Sequence, residues 1–233
     1  MICTQGLVKR AGDKTILQGI DLEINRGETV AILGSNGAGK STLLKIFALL
    51  SKPTYGELKI DNMAVRDHEA HIKRMIGYLP HSSMLYDHFS PMENLIYYGS
   101  LYAVENANEK ADALLEEVGL SLFRHEPVKN FSRGMQQRLA VARAIIHSPR
   151  LLLLDEPHTG LDQQAIMLLN KVIVRMKEKG VTTLMVTHDF KMAAEVCDRI
   201  IILQNSCVAE DFQLKNESQS DIEEKYSKIV AVP

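Results

Sequence analysis

Apolar residues in this chain fall into short runs separated by helical patterns. The run Thr29-Val30-Ala31-Ile32-Leu33 and segments 150–154, 182–186 and 199–203 read as continuously buried strands. Between them, 163–178 and 189–196 carry the three-to-four spacing of helices. Buried strands alternating with helices predict a mainly parallel sheet covered on both sides, the α/β class. The first sixty residues differ: 15–24 and 57–60, with plain alternation in Ile20-Asp21-Leu22-Glu23-Ile24, flank turn residues such as Asn25-Arg26-Gly27. That pattern predicts an antiparallel β layer beside the main sheet. Segments 92–103, 107–118 and 133–147 are helical and contain no convincing strand. One domain is expected, with a core of 1–90 and 148–215, an inserted helical lobe of 91–147 and a tail of 216–233, in which 216–226 forms one exposed helix.

Composition excludes several classes. The 233 residues are 45% hydrophobic and 24% charged, with a formal net charge of −2. Such a chain folds as an ordinary globular domain and has no overall basic field to hold a nucleic-acid backbone, so nucleic acid is not an expected partner. Cys3, Cys197 and Cys207 are odd in number and lack Cys-x-x-Cys spacing. A disulfide framework and a zinc site are both disfavoured, and the expected home is the reducing cytosol. No apolar run approaches the roughly 18 residues of a membrane helix, and 1–6 is no secretory leader. Any work at a membrane is therefore expected to be peripheral.

The most specific chemistry lies directly after the run 28–33. Gly34-Ser35-Asn36-Gly37-Ala38-Gly39-Lys40-Ser41-Thr42 has the Gly-x4-Gly-Lys-Ser spacing of a phosphate-binding loop, strand before and helix after. The glycines let successive backbone N–H groups turn toward phosphate oxygens, and the helix start adds its positive end. Lys40 is placed to reach the β- and γ-phosphates, and the Ser41 hydroxyl to ligate Mg²⁺.

Two further groups extend this reading. Leu151-Leu152-Leu153-Leu154 ends in Asp155 and Glu156. Beside a phosphate loop, such an Asp holds Mg²⁺ through water, while a neighbouring Glu polarises the water that attacks the γ-phosphate. Without that loop the pair would be a polar turn closing a strand. Ser132-Arg133-Gly134-Met135-Gln136 opens the helical segment 133–147, with Ser132 as a plausible N-cap at a helix start able to accept an anion.

Together these residues resemble the ATP-binding subunits of ABC transporters. Residues 34–42 match the family's phosphate loop, 132–136 its signature and 151–156 its carboxylate strand; Gly160-Leu161-Asp162 resembles the D-loop, and Thr187-His188-Asp189 carries the switch histidine. The resemblance spans nearly the whole chain with its motifs in order. It implies the fold of a P-loop NTPase of the ABC cassette type, with ATP and Mg²⁺ as cofactors. It also implies head-to-tail pairing with a second copy or a homologous cassette, in which ATP on one phosphate loop is covered by Ser132 and Gly134 of the other. Glu156 then acts as general base, His188 contacts the γ-phosphate, Asp162 belongs to the shared site, and integral-membrane permease subunits are the partners.

Departures from the family pattern carry information. After the expected strand 76–80 the family places a Gln, and this chain has His81; imidazole is a poor direct ligand for Mg²⁺, which prefers hard oxygens. The aligned position for an adenine-stacking aromatic is Ala11. Stretches 81–102, 131–138 and 155–162 are similar to the haem-exporter ATPase subunits of bacterial cytochrome c maturation, which implies peripheral work at the cytoplasmic membrane face. Other ABC exporters, soluble ABC ATPases acting on DNA or ribosomes, and small-molecule kinases are the alternatives; Glu156 beside Asp155 argues against a kinase, which must exclude water. No Cys-x-x-Cys-His occurs, so direct haem binding is not expected. Tyr86, Phe89, Tyr97, Tyr98 and Tyr102 read first as filler of a small helical core, and alternatively as a groove for a helix of the membrane subunit. His68 and His71 read as one solvated helix face.

Overall fold

The computed structural model describes residues 1–214 and 217–230. Its centre is a six-stranded sheet of β3 (Thr29–Gly34), β6 (Ile76–Leu79), β7 (Leu151–Asp155), β8 (Thr182–Val186), β9 (Arg199–Gln204) and β10 (Cys207–Gln213). The order across the sheet is β10-β9-β3-β8-β7-β6, parallel except for the hairpin partner β10. Residues of β3 point alternately into two cores: Ala31 and Leu33 into one, Val30 and Ile32 into the other. Leu152 and Leu154 in β7 share the first core, while Leu151 and Leu153 share the second. Both faces are dry, which is why these strands contain no polar alternation.

The second core lies between this sheet and a four-stranded antiparallel sheet ordered β2-β1-β4-β5, made of β1 (Ile2–Ala11), β2 (Lys14–Ile24), β4 (Tyr55–Ile60) and β5 (Met63–Ala64). Helix α1 (Lys40–Phe47) contributes buried Leu43, Leu44, Ile46 and Phe47 to the same core. Helix α2 (Val65–Arg74) bends at His68, where φ is −130°, so His68 and His71 do not stand on one regular helical turn.

The first core joins α3 (Pro91–Leu101), α4 (Ala107–Glu117), α5 (Arg133–Ile145), α6 (Gln163–Glu178), α7 (Phe190–Val196) and α8 (Gln219–Val230) to the opposite face of the main sheet. Helix α3 starts with a capping box: Ser90 accepts from the Glu93 N–H, and the Glu93 carboxylate accepts from the Ser90 N–H. In α5, Arg143 donates to the Tyr78 carbonyl at 2.8 Å and stands 5.1 Å from the Tyr98 ring centroid. One buried guanidinium thus joins α5 to both β6 and α3, trading desolvation for a carbonyl and an aromatic face.

Two expectations need correction, and one strand is not anticipated by the pattern. The tail helix runs over Gln219–Val230 and is not simply exposed: Ile222 is fully buried, and Tyr226 packs on Phe190 with ring centroids 5.1 Å apart. Residues 215 and 216 lie outside the described residues. The aromatics of the helical segment do not fill its interior either, because Tyr86, Phe89, Tyr97 and Tyr102 are all at least 36% exposed. Tyr86, Phe89, Tyr97 and Tyr98 form a surface cluster with centroids 5.0 to 6.2 Å apart. Finally, β1, which lies between β2 and β4, has alternation broken by register shifts that pattern reading passes over.

Candidate nucleotide site

A cavity of about 660 Å³ opens beyond the C-terminal ends of β3, β7 and β8. That is the expected place for a ligand in an open parallel sheet, since loops leaving the strands converge there with helix N-termini. Its floor is the phosphate loop: Asn36, Gly37, Gly39, Lys40, Ser41 and Thr42 line it. Gly39 precedes α1 with φ 102° and supplies no side-chain cap, so the first N–H groups of the helix are left for a ligand. At Gly34, a Cβ would sit 2.3 Å from the Leu203 carbonyl oxygen. Only glycine lets β3 turn into the loop this close to β9.

Lys40 is buried and donates its ammonium to the carbonyls of Gly34 (2.8 Å) and Ser35 (3.0 Å). Burial lowers its pKa, and the nearby Glu156 and Asp155 charges oppose that shift. Ser41 Oγ donates to Asp155 Oδ1 at 3.0 Å, joining the start of α1 to the end of β7. A hydroxyl and a buried carboxylate so close form a hard oxygen pair of the kind Mg²⁺ accepts, so these residues fit the ion.

Glu156 follows Asp155 with φ 52°, a left-handed conformation that a side chain adopts only under constraint. The turn brings its Oε1 to 3.0 Å from His188 Nε2. Burial raises the Glu156 pKa above the ordinary carboxylate range, partly offset by His188 and Lys40. A carboxylate so placed holds a proton more tightly and is a stronger acceptor. The Thr187 hydroxyl accepts from the Asp189 N–H, and Asp189 then caps α7.

Other expected site residues stand elsewhere in the single chain. Ser132 caps α5 by accepting from the Met135 N–H, and Asp162 caps α6 by accepting from the Ala165 N–H. Neither residue, nor Gly134, lines the cavity. Gly34, Ser35 and Ala38 shape the loop from behind: two give carbonyls to Lys40, and the Ala38 N–H donates to the Ser35 carbonyl. His81 lines the wall, as do three residues the sequence did not single out, Lys14, Ile16 and Thr159. Lys14 and Ile16 share one face of β2 and both reach the cavity, whereas Ala11 does not line it.

Residues 17–159 match the family described as "ABC transporter". The chain is 32% identical over 212 residues to the linearmycin resistance ATP-binding protein LnrL of Bacillus subtilis (strain 168), spanning 90% of this chain and 68% of that protein. It is 35% identical over 218 residues to the glutamine transport ATP-binding protein GlnQ of Escherichia coli (strain K12), spanning 91% and 90%. Among solved structures, the dimeric post-hydrolysis state of the ATP-binding cassette MJ0796 bound to ADP and Pi aligns with a TM-score of 0.85 at 29% identity, covering 93% of this chain and all of that one. By family, fold and phosphate loop, the chain belongs to the ATP-hydrolysing, ATP-binding subunits of ABC transporters.

Proposed function

We propose that the chain works as a head-to-tail pair that encloses ATP between one phosphate loop and the Ser132–Gly134 turn of the other cassette, and drives integral-membrane permease subunits from the cytoplasmic face. The observation that carries this reading is the incompleteness of the single-chain cavity: Lys40, Ser41, Glu156 and His188 line or border it, while Ser132, Gly134 and Asp162 do not. An open half-site reacts poorly, because phosphoryl transfer depends on positioned charge and exclusion of bulk water.

Within the closed pair each residue has a task. Backbone N–H groups of residues 36–42 hold the phosphates, and Lys40 leaves its carbonyl partners for the β- and γ-oxygens. Glu156 accepts the proton of the attacking water, and His188 holds the terminal phosphate and the Glu156 carboxylate in register. Ser41 and Asp155 would hold Mg²⁺, which when bound supplies charge neutralisation at the phosphates.

For the membrane partner, the exposed Tyr86, Phe89 and Tyr97 cluster offers apolar rings with polar tips, the kind of surface that receives an amphipathic helix. The proposed transport direction is export, with a role in haem handling for cytochrome c maturation. That subtype rests on residues 81–102, 131–138 and 155–162, since the relatives named above include both a resistance protein and a nutrient-transport protein. Affinity purification from membranes, together with c-type cytochrome content after gene deletion, tests it. Recovery with integral-membrane proteins and loss of c-type cytochromes are expected. Recovery with ribosomes or DNA would overturn the transport reading; normal cytochromes with altered drug tolerance would overturn the haem subtype.

A further inference from the structure

A second cleft, of about 410 Å³, lies at the other end of the sheet from the nucleotide cavity. It is bounded by the turns that enter β7 (Pro149, Arg150) and β8 (Gly180, Val181), whereas the phosphate loop, Glu156 and His188 follow strand C-termini. Its remaining walls come from α4, the end of α5 and the end of α6. The site therefore shares no residue with the nucleotide cavity.

The chemistry of this cleft is two-sided. Its floor is apolar, formed by Leu114, Ile145, Met176 and Val181. Its rim carries four cations, Lys110, Arg150, Arg175 and Lys179, against one carboxylate, Glu117. Glu117 is already held by Arg175, and Arg150 reaches Asp61 at 3.5 Å. Among the described residues, the ammonium groups of Lys110 and Lys179 have no ion-pair partner and are exposed. A cleft of this size with an apolar floor and uncompensated positive charge is complementary to a small molecule that is anionic at one end and apolar at the other.

We infer that this cleft binds a single-chain amphiphilic anion, with a phosphate or carboxylate head between Lys110 and Lys179 and a short apolar tail against Leu114 and Met176. Such a ligand touches α4 on one side and the strand-entry turns on the other. It would brace the helical segment against the sheet. Because α5 runs from this cleft back to Ser132, bracing here bears on how the Ser132–Gly134 turn is presented.

Isothermal titration of the full chain with octyl phosphate, kept below its micelle concentration, tests the inference; octyl glucoside and inorganic phosphate are the comparison ligands. Expected is saturable binding of one octyl phosphate per chain, weakened about tenfold or more by the double exchange Lys110→Glu and Lys179→Glu. The tail alone or the head alone should not saturate in that range. ATP affinity of the double variant should stay unchanged, which also reports that it has folded. No saturable binding, equal binding by the variant, or equal binding of octyl glucoside would overturn the inference. So would association with phosphatidic-acid vesicles that the double exchange abolishes while free octyl phosphate fails to bind, since the surface would then recognise a bilayer.

Discussion

Glu156 and His188 face each other across the mouth of the nucleotide cavity, with Oε1 3.0 Å from Nε2. The contact joins the turn after β7 to the turn after β8, two neighbouring strands whose C-terminal ends are in register at Asp155 and Val186. A carboxylate held above its ordinary pKa by burial and steadied by an imidazole suits proton acceptance from water. Replacing Glu156 by Gln keeps the shape and removes the acceptor. Steady-state turnover should fall by about 10²–10⁴, with nucleotide binding retained and an ATP-bound dimer detectable by light scattering; unchanged turnover would remove Glu156 from this role.

A pH dependence of stability follows from His147. Its Nε2 lies 3.0 Å from the Ile76 carbonyl, its ring stacks on Tyr102 with centroids 3.9 Å apart, and burial lowers its pKa from 6.5 to about 4. Between those values the unfolded chain binds the proton and the folded chain does not. The contribution is therefore complete above pH 6.5 and is lost as pH falls toward 4, by up to about 1.4 kcal/mol per pH unit. His158, shifted downward for the same reason, adds to the trend. Urea unfolding of His147→Gln between pH 7 and 4.5 should show a shallower slope than the parent chain; parallel slopes would contradict the assignment.

At Gly77 the packing leaves no room for a side chain. An added Cβ would lie 2.3 Å from the Ala144 carbonyl oxygen and 2.9 Å from Pro149. Gly77→Ala must push β6 away from α5, at a cost of about 1–3 kcal/mol. Chemical denaturation reads this directly, and a change below a few tenths of a kcal/mol would mean that β6 is not seated against α5 in this way.

The tail helix α8 has a local duty that its polar sequence conceals. Tyr226 packs edge-on against Phe190, two residues beyond His188, and Lys225 lies 4.2 Å from the Phe212 ring centroid. Tyr226→Ala should destabilise by about 1 kcal/mol and speed amide exchange through α7, leaving β6 unaffected. Exchange unchanged in α7 would show that α8 does not steady that region.

What was legible in the sequence follows from how each signal is encoded. Strands β3, β7, β8 and β9 were visible because both faces of their central residues are buried, which leaves apolar runs without polar alternation. The phosphate loop, Ser41 and Asp155 were visible because backbone geometry and ion chemistry tolerate few residue types there. Strand β1 was missed because register shifts at residues 4–10 break its alternation. The single buried contact of Ile222 left α8 looking like a solvated helix. Lys14 and Ile16 were missed because they reach the cavity through the placement of one sheet against the other. The exposed aromatics read as core in the sequence because composition does not report which side of a helix faces solvent.

The central claim, that each ATP is shared by two cassettes, is tested most directly by mixing two inactive variants. Lys40→Ala disables one phosphate loop, and Ser132→Asn removes the hydroxyl while keeping an N-cap for α5. In a head-to-tail pair one mixed site combines the intact Lys40 of one chain with the intact Ser132 of the other. Mixing should therefore restore ATP hydrolysis that neither variant shows alone. If the mixture stays as inactive as its components although light scattering shows that mixed dimers form, both groups serve ATP within one chain and the shared-site account is contradicted.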